Sequence, residues 1–371
     1  MGAITSFGRD MFVPEEFNER YSIRSLTPLS KDSNSKELLL PSINEKLPHI
    51  VLKKFNFYGD LDKARRCLTE LAILPQLQHE NILRFRSAYS TDGDEESLSC
   101  VYIITEFPGT SLRDVIDQKV PLTFDDTRRI ISDALRALRY LESVTQVPYC
   151  GLTPDRMWCD ENGRLKISGV RQRESENASK GKKNSDVYKP LEQLVPWSEP
   201  LTSKVDVFTL GLILSEMLTG EALFAKRKDG SVIQSAIDKC GPIEESALEK
   251  IKDADVRNTL SSLSRKAQRI DFIQYLTENA RKGVMKDILE RGDDLRDFID
   301  RTLRFDPCNR MSVEEALRSR LIDGMNEAPM EDFKGMPETL VPIPLLREEN
   351  DDINACKRRI LRQIQESPTF P

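Results

Sequence analysis

The stretch YCGLTPDRMWCDENGRLKISGV, from Tyr149 to Val170, brings two carboxylates close together in the chain. Asp155 and Asp160 are of a residue type that can accept a proton in general acid–base catalysis. Asp160 also opens the sequence Asp-Glu-Asn-Gly, which is typical of a hairpin turn between short strands. Each carboxylate therefore has two candidate roles, a catalytic base or an ordinary loop or turn residue, and the second is the simpler interpretation.

The residue types that bind transition metals are few and scattered. The chain has seven cysteines and two histidines, His49 and His79, and the cysteines never form a Cys-x-x-Cys pair. A zinc site needs several such ligands at short, characteristic spacings, so we expect no metal centre. An odd number of dispersed cysteines fits reduced thiols in a cytosolic protein better than a disulfide framework.

Composition excludes several classes of protein. The chain has 371 residues, of which 39% are hydrophobic and 31% charged, as in soluble globular proteins of one large or two smaller domains. Its net charge of −6 disfavours nucleic-acid binding. No apolar run reaches the roughly 20 residues of a transmembrane helix, and the signal-peptide pattern is absent. We expect a cytoplasmic protein, with the nucleus as a further location.

The first residues, MGAITS, match the pattern for N-myristoylation at Gly2. The pattern is short, so a chance match is the alternative. One acyl chain without a second anchor would hold a protein only weakly at a membrane.

Apolar patterning separates a strand-rich segment from a helical one near residue 106. His49–Lys54 and Cys100–Thr105 are predicted strands, and Leu61–Leu74 is a predicted helix. The first 48 residues are predicted to be irregular.

Two strong helices are predicted after this segment. Thr123-x-x-Asp126 and Ser203-x-x-Asp206 are typical N-terminal caps, and Gly220 is a typical C-terminal stop. The second helix, VDVFTLGLILSEML, is apolar on nearly every face, which indicates a central core helix. The pattern predicts an α+β protein with a small β-rich lobe followed by a larger helical lobe.

The order of these segments resembles that of a protein kinase. Matching segments are found for the β3 strand (HIVLKK), the αC helix (LTELAILPQLQHENI), the strand before the hinge (VYIITEFPG), the A-P-E segment (VYKPLEQLV), the F helix (SKVDVFTLGLILSEMLTG) and the arginine that pairs with the A-P-E glutamate (LRFDPCNR). Val256–Leu263 and the long tail are similar to the MAP kinase group, closest to its stress-activated branch. The resemblance implies an N-terminal extension (1–20), a small lobe (21–106), a large lobe (107–325) and a C-terminal extension (326–371).

The resemblance also places unsuitable residues at the catalytic positions. Aligned on the loop H-R-D-L-K-P-x-N, Gly151 replaces the catalytic aspartate, Thr153 the lysine and Arg156 the magnesium-binding asparagine. Gly169 replaces the aspartate of D-F-G. Phosphoryl transfer depends on positioning and on charge neutralisation around metal ions. The resemblance therefore implies that no catalytic residue remains.

The implied nucleotide pocket departs from the kinase pattern as well. The segment between Tyr21 and His49, where a glycine-rich loop would lie, contains no glycine. Val51 stands where kinases carry a small alanine, and Thr105 takes the gatekeeper place. Trp158 stands where a small aliphatic residue forms the floor under adenine, so its indole could fill the pocket. The alternative is an ordinary buried tryptophan on a strand.

Lys53 and Glu70 stand at the places of the phosphate-pairing lysine and its αC partner. They could retain a phosphate contact, or form a purely structural ion pair, which we favour because the ligand-side groups are absent. Glu192, Arg310 and Asp206 match groups that stabilise the scaffold in kinases.

The resemblance to MAP kinases also implies an acidic docking patch. Glu327, Glu331 and Asp332 lie where that patch would be, and Asp160 and Glu161 would extend it. Partners would then carry linear motifs that combine basic and apolar residues. The alternative is a set of ordinary solvated acids.

We interpret the sequence as a catalytically degenerate member of the MAP kinase group, a pseudokinase that acts by binding. It would serve as a scaffold, decoy or allosteric regulator of kinases of a MAP kinase cascade or of their docking-motif substrates, without a cofactor. One alternative is a weak or unconventional Ser/Thr protein kinase that binds ATP and Mg²⁺ and uses Lys53. Another is a nucleotide sensor that binds ATP without turnover.

Overall fold

The computed structural model describes residues 20–22, 27–28, 35–43, 49–168, 186–224, 232–325 and 352–368. The chain divides into two compact units, here called unit 1 (1–108 with 337–371) and unit 2 (109–336). Five residues of interest in the sequence lie outside the described residues: Gly2, Gly169, Glu327, Glu331 and Asp332.

Unit 1 contains an antiparallel sheet whose strands lie in the order β1-β2-β3-β5-β4. The strands are β1 (Thr27–Pro28), β2 (Ser35–Leu40), β3 (Ile50–Asn56), β4 (Phe85–Tyr89) and β5 (Cys100–Glu106). The prediction of an irregular first segment is wrong for β1 and β2. In β2 a run of three leucines obscured the alternation of a strand, in which Leu38 and Leu40 are buried while Leu39 is half-buried.

One face of this sheet carries a hydrophobic cluster of unit 1. Leu52 of β3 and Tyr102 of β5 are almost fully buried in the same cluster as Leu40 of β2. Helix α1 (Leu61–Ile73) begins where the side chain of Asp60 accepts a hydrogen bond from the backbone N–H of Lys63. The predicted strands and helix are therefore confirmed, with small differences at their ends.

In its described residues, unit 2 is mainly helical and contains one small sheet. Its strands, in spatial order, are β6 (Thr110–Ser111), β7 (Met157–Cys159) and β8 (Leu165–Ile167). Its helices are α2 (Leu112–Asp117), α3 (Phe124–Thr145), α4 (Leu191–Leu194), α5 (Lys204–Thr219), α6 (Val232–Cys240), α7 (Glu245–Glu249), α8 (Ala254–Ser264), α9 (Phe272–Glu278), α10 (Met285–Glu290), α11 (Gly292–Thr302) and α12 (Val313–Leu317). With the sheet of unit 1, this confirms the predicted α+β class.

The two strong helices differ in how they begin. At α3, Thr123 and Asp126 form the predicted reciprocal capping box. At α5 the predicted cap is wrong, because Ser203 already has helical backbone angles and its side chain makes no capping hydrogen bond. The carboxylate of Asp206 instead binds backbone groups elsewhere in unit 2. Gly220 ends α5 in the left-handed conformation, with φ of 85°.

Helix α5 is the central element of unit 2, as predicted. Every residue from Val205 to Leu218 is buried. Gly211 allows a close approach to α11, since a Cβ at this position would lie 2.5 Å from Oγ1 of Thr302. The sequence needs glycine here for packing.

The last helix, α13 (Ile353–Glu366), belongs to unit 1, where it packs against α1 and β4. Cys356 and Ile360 are its fully buried residues. None of the helices in the described part of the chain is long and apolar enough to cross a membrane.

Candidate functional site

Lys53 and Glu70 meet in unit 1. Strand β3 supplies the lysine and helix α1 the glutamate, and the Nζ atom lies 2.9 Å from Oε2 and 3.0 Å from Oε1. Their side chains are only 15% and 12% exposed. The Nζ atom also lies 4.6 Å from the ring centroid of Phe55. The structure thus brings together the two residues that the resemblance to kinases paired. They form a mostly buried ion pair in which both carboxylate oxygens contact Nζ.

Val51 and Thr105 lie directly opposite each other on β3 and β5, and both are buried. Because side chains alternate along a strand, Val51 and Lys53 point to the same face of the sheet. Three of the candidate nucleotide-contacting residues therefore share one face, opposite the face that contains Leu52.

The loop before β7 in unit 2 is anchored by a buried carboxylate. Oδ2 of Asp206 accepts hydrogen bonds from the backbone N–H groups of Tyr149 (3.0 Å) and Cys150 (3.2 Å). Burial raises the pKa of Asp206 to about 7, although these N–H donors favour the charged form and act in the opposite direction. The hydroxyl of Tyr149 donates to the carbonyl of Ser168, 2.6 Å away. The backbone around Gly151 is therefore held firmly on both sides of a residue that has no side chain.

Thr153 and Arg156, two further positions that the resemblance to kinases marks as degenerate, lie in and after this loop. Thr153 is buried, and its carbonyl accepts from the backbone N–H of Arg156 at 2.9 Å, which closes a 3₁₀ turn. The carbonyl of Arg156 accepts in turn from the N–H of Ser168 at 2.9 Å. These backbone bonds hold the segment that carries Thr153 and Arg156.

Trp158 lies on β7, the central strand of the small sheet, opposite Ser111 and Lys166. The residue is 5% exposed, and its indole Nε1 is buried without a hydrogen-bond partner. A buried N–H without a partner is costly. The residue is thus a buried tryptophan on a strand, and its filling of an adenine pocket stays a prediction.

Asp160 has the turn role that the sequence suggested. Its Oδ1 accepts from the backbone N–H groups of Asn162 (2.8 Å) and Arg164 (2.9 Å), while Gly163 takes a left-handed φ of 72°. Glu161 is exposed in the same turn. Asp155 is exposed in its loop, with Oδ2 at 4.0 Å from Nε of Arg113. Whether Asp160 and Glu161 serve a docking partner stays a prediction.

A polar network that the sequence analysis missed joins α2, α5 and the 3₁₀ turn at residues 186–188. Nη1 of Arg113 lies 2.9 Å from Oε1 of Glu216, and the hydroxyl of Tyr188 donates to Oε2 of Glu216 at 2.7 Å. Arg113 also donates to the Tyr188 hydroxyl. Burial raises the pKa of Tyr188, so its hydroxyl stays protonated as a donor. These residues are far apart in sequence, and no local pattern signals their contact.

Glu192 and Arg310 form a fully buried ion pair, with 2.8 Å between Nη2 and Oε2 and side-chain exposures of 1% and 0%. The guanidinium lies 4.7 Å from the ring centroid of Phe208. It also donates to three backbone carbonyls, those of Lys204, Arg304 and Phe305. The scaffold pair inferred from the resemblance is therefore in contact.

Comparison with known proteins places this geometry in a family. The Protein kinase domain family matches residues 43–322, more than half of the chain. The chain is 28% identical over 283 residues to the Mitogen-activated protein kinase pmk-3 of Caenorhabditis elegans, covering 73% of the chain and 57% of that relative.

Two further relatives are covered more fully. The Mitogen-activated protein kinase pmk-1 of Caenorhabditis elegans is 25% identical over 82% of the chain and 75% of its own length. The Mitogen-activated protein kinase 4 of Arabidopsis thaliana is 25% identical over 81% of the chain and 77% of its own length. These relatives support a place in the MAP kinase group. The chain belongs to the protein kinase domain family.

Proposed function

We propose that this protein is a pseudokinase of the MAP kinase group, closest to the stress-activated branch, that acts in signalling by binding other proteins. One observation carries the proposal. The contacts that stabilise a kinase scaffold are present, in the Lys53–Glu70 pair and the Glu192–Arg310 pair, while Gly151 at the catalytic position has no side chain at all.

The chemistry of phosphoryl transfer supports this proposal. A kinase needs a base for the substrate hydroxyl and carboxylate or amide ligands for magnesium around the transferred group. Glycine at 151 supplies no base, and the cationic Arg156 would repel a metal ion. Thr153 has no positive charge to offer the phosphoryl group. The proposed activity is therefore binding as a scaffold, decoy or allosteric regulator.

The proposed partners are kinases of a MAP kinase cascade or their docking-motif substrates. Glu161 is exposed in the turn between β7 and β8, beside Asp160, and we propose that both form part of an acidic docking surface for a basic segment of a partner. Glu327, Glu331 and Asp332 are the other acids proposed for this surface. The proposed location is the cytoplasm or the nucleus, and acylation of Gly2 would add a weak membrane anchor.

The alternative function is a weak or unconventional Ser/Thr protein kinase that binds ATP and Mg²⁺. A specific observation favours it: the Lys53–Glu70 pair is formed, with both carboxylate oxygens within 3.0 Å of Nζ. By the resemblance to kinases this is the lysine that pairs with a phosphate, so its formed pair with Glu70 supports the alternative. The nucleotide-sensor function requires the same lysine without turnover.

A thermal-shift titration with ATP, with and without Mg²⁺, separates these functions. A ligand that binds only the native state raises the melting temperature. We expect no shift for the native chain and a restored shift for Trp158→Ala, each measured against the same protein without ligand, so that the destabilisation caused by the substitution cancels. A magnesium-dependent shift in the native chain would overturn the proposal that Trp158 fills the adenine pocket.

Transfer of radiolabelled phosphate from ATP tests the enzyme alternative directly. We expect no transfer to a generic Ser/Thr substrate or to the chain itself. Transfer that disappears in Lys53→Ala, in a preparation free of other kinases, would show that the alternative is correct.

Binding of a labelled peptide with basic and apolar residues, followed by fluorescence anisotropy, tests the partner class. Glu161→Lys should weaken binding, because it reverses a charge in the turn without touching the hydrogen bonds of Asp160. Glu290→Lys on α10 is the matched control, since Glu290 is another exposed acid of unit 2. Equal affinities for both variants would exclude the β7–β8 turn as the docking surface.

A further inference from the structure

A Ser-Pro dipeptide stands at the end of α13, at Ser367 and Pro368. The chain has two other Ser/Thr-Pro dipeptides, which begin at Thr27 and Thr153. Thr153 is buried, whereas Ser367 is half-buried and Pro368 is exposed. Ser367 also has extended backbone angles, with φ −67° and ψ 145°. This is the conformation that the residue before a proline prefers.

Helix α13 is held against the rest of unit 1 by apolar packing and a few polar contacts. Cys356 of α13 and Cys67 of α1 are both fully buried, and the two helices pack together. Nζ of Lys357 donates to the carbonyl of Glu96 at 3.1 Å, and Arg358 forms a 2.8 Å ion pair with Glu95. Because α1 also carries Glu70, α13 buttresses the helix that supplies the partner of Lys53.

The C-terminal end of α13 is attached through Ser367 and its neighbour. The hydroxyl of Ser367 donates to the carbonyl of Gln363 at 2.7 Å. The carbonyl of Pro368 accepts from the hydroxyl of Ser87 on β4 at 2.6 Å, and Ser87 is buried. The last turn of α13 contains no basic residue, and Glu366 within it is exposed.

We infer that Ser367 is a phosphorylation site for a proline-directed Ser/Thr protein kinase acting in trans, and that the phosphate releases α13 from α1. In the reaction, the γ-phosphorus of ATP forms a bond to Oγ of Ser367 while its bond to the β–γ bridging oxygen breaks. ADP leaves, and the hydroxyl proton passes to the base of the modifying kinase. The inference does not depend on whether this chain itself transfers phosphate.

Electrostatics gives the direction of the effect. A phosphoserine carries about −1.5 to −2 charges at neutral pH, and the C-terminus of a helix is the negative end of its dipole. The modified oxygen can no longer donate to Gln363, and the last turn offers no cation to pair with the phosphate. On β4, Arg86 is the neighbour of Ser87. Its Nη2 lies 4.0 Å from Oε2 of Glu106, so this cation already has a carboxylate partner. Ends of helices open locally most easily, which gives the modifying kinase access.

Modification is tested on the full chain with a recombinant proline-directed kinase, ATP and Mg²⁺, followed by peptide mass mapping. We expect phosphate on Ser367, and none at this position in Ser367→Ala or Pro368→Ala. A synthetic peptide of residues 361–371 is the positive control for the kinase. If the peptide is phosphorylated and Ser367 of the full chain is not, the inference is wrong.

Release of α13 is measured by the rate at which N-ethylmaleimide labels Cys67 and Cys356. We expect phosphorylation to speed the labelling of both thiols roughly tenfold, because the reagent reaches them only when α13 opens. Cys240, buried in α6 of unit 2, is the internal control and should not change. Kinase-treated Ser367→Ala should label like the untreated protein. Unchanged labelling, or slower labelling through tighter docking of the phosphate, would overturn the proposed release.

Discussion

Replacing Glu192 by glutamine should destabilise unit 2 by about 3–5 kcal/mol, because removing one partner of a buried ion pair leaves the other charge without compensation. Glutamine keeps the shape of the side chain and one oxygen acceptor. It leaves the guanidinium of Arg310, which is 0% exposed, without a counter-ion. Three backbone carbonyls still accept hydrogen bonds from Arg310, so we expect the loss near the lower end, about 3 kcal/mol.

Urea unfolding followed by tryptophan fluorescence measures the loss of free energy of unfolding in unit 2. Both tryptophans, Trp158 and Trp197, belong to unit 2. The midpoint should fall while the slope with denaturant stays the same.

The matched control is Glu290→Gln, which removes the charge from an exposed pair with Lys286, 3.5 Å apart and with side chains 83% and 60% exposed. Exposed pairs of this kind contribute little, so the change should stay within about 0.5 kcal/mol. If Glu192→Gln costs no more than the control, the Glu192–Arg310 pair is not desolvated in solution and the reasoning fails.

Three further predictions concern unit 2. Burial raises the pKa of Asp206 from an ordinary 3.8 to about 7. Between these pH values the native state binds a proton that the unfolded state does not, so the free energy of unfolding falls as pH rises. Asp206→Asn should reduce this fall, measured as the difference between the urea midpoints at pH 5 and pH 7. Thr123→Ala removes the capping box with Asp126 and should cost about 1 kcal/mol in the same unfolding assay. Gly211→Ala places a Cβ 2.5 Å from Oγ1 of Thr302 and should cost about 1–3 kcal/mol through overpacking, seen as a lower melting temperature.

Each of these has a clear contrary result. An equal pH dependence in Asp206→Asn would show that another group titrates. An unchanged stability in Thr123→Ala or in Gly211→Ala would show that the cap is frayed or that α5 and α11 are farther apart in solution.

Local chemistry made several features predictable from the sequence. The cap of α3 depends on residues three apart, Thr123 and Asp126, so it can be recognised without any tertiary information. Residues 205–218 are apolar on nearly every face, which predicted a helix buried on all sides, because a helix surrounded by protein needs no polar face. The places of Lys53 and Glu70 followed from the resemblance of the short segments, taken in order, to a protein kinase.

Long-range contacts set the limit of that reasoning. A carboxylate three residues after Ser203 has the spacing of a cap, yet Asp206 binds the backbone of Tyr149 and Cys150, because the fold brings that loop to the first turn of α5. The local pattern could not show this, since backbone N–H groups are identical at every non-proline position.

The sequence also could not predict two other sets of contacts: the network of Arg113, Tyr188 and Glu216, and the packing of α13 against α1. Each joins segments that are far apart in sequence, and no periodic pattern links such segments. The amino-acid sequence by itself thus determined the strands β3 and β5, the helices α1, α3 and α5, and the residue types at the candidate site. Only the tertiary structure decided which buried charges are paired, since pairing depends on distances that no local pattern contains.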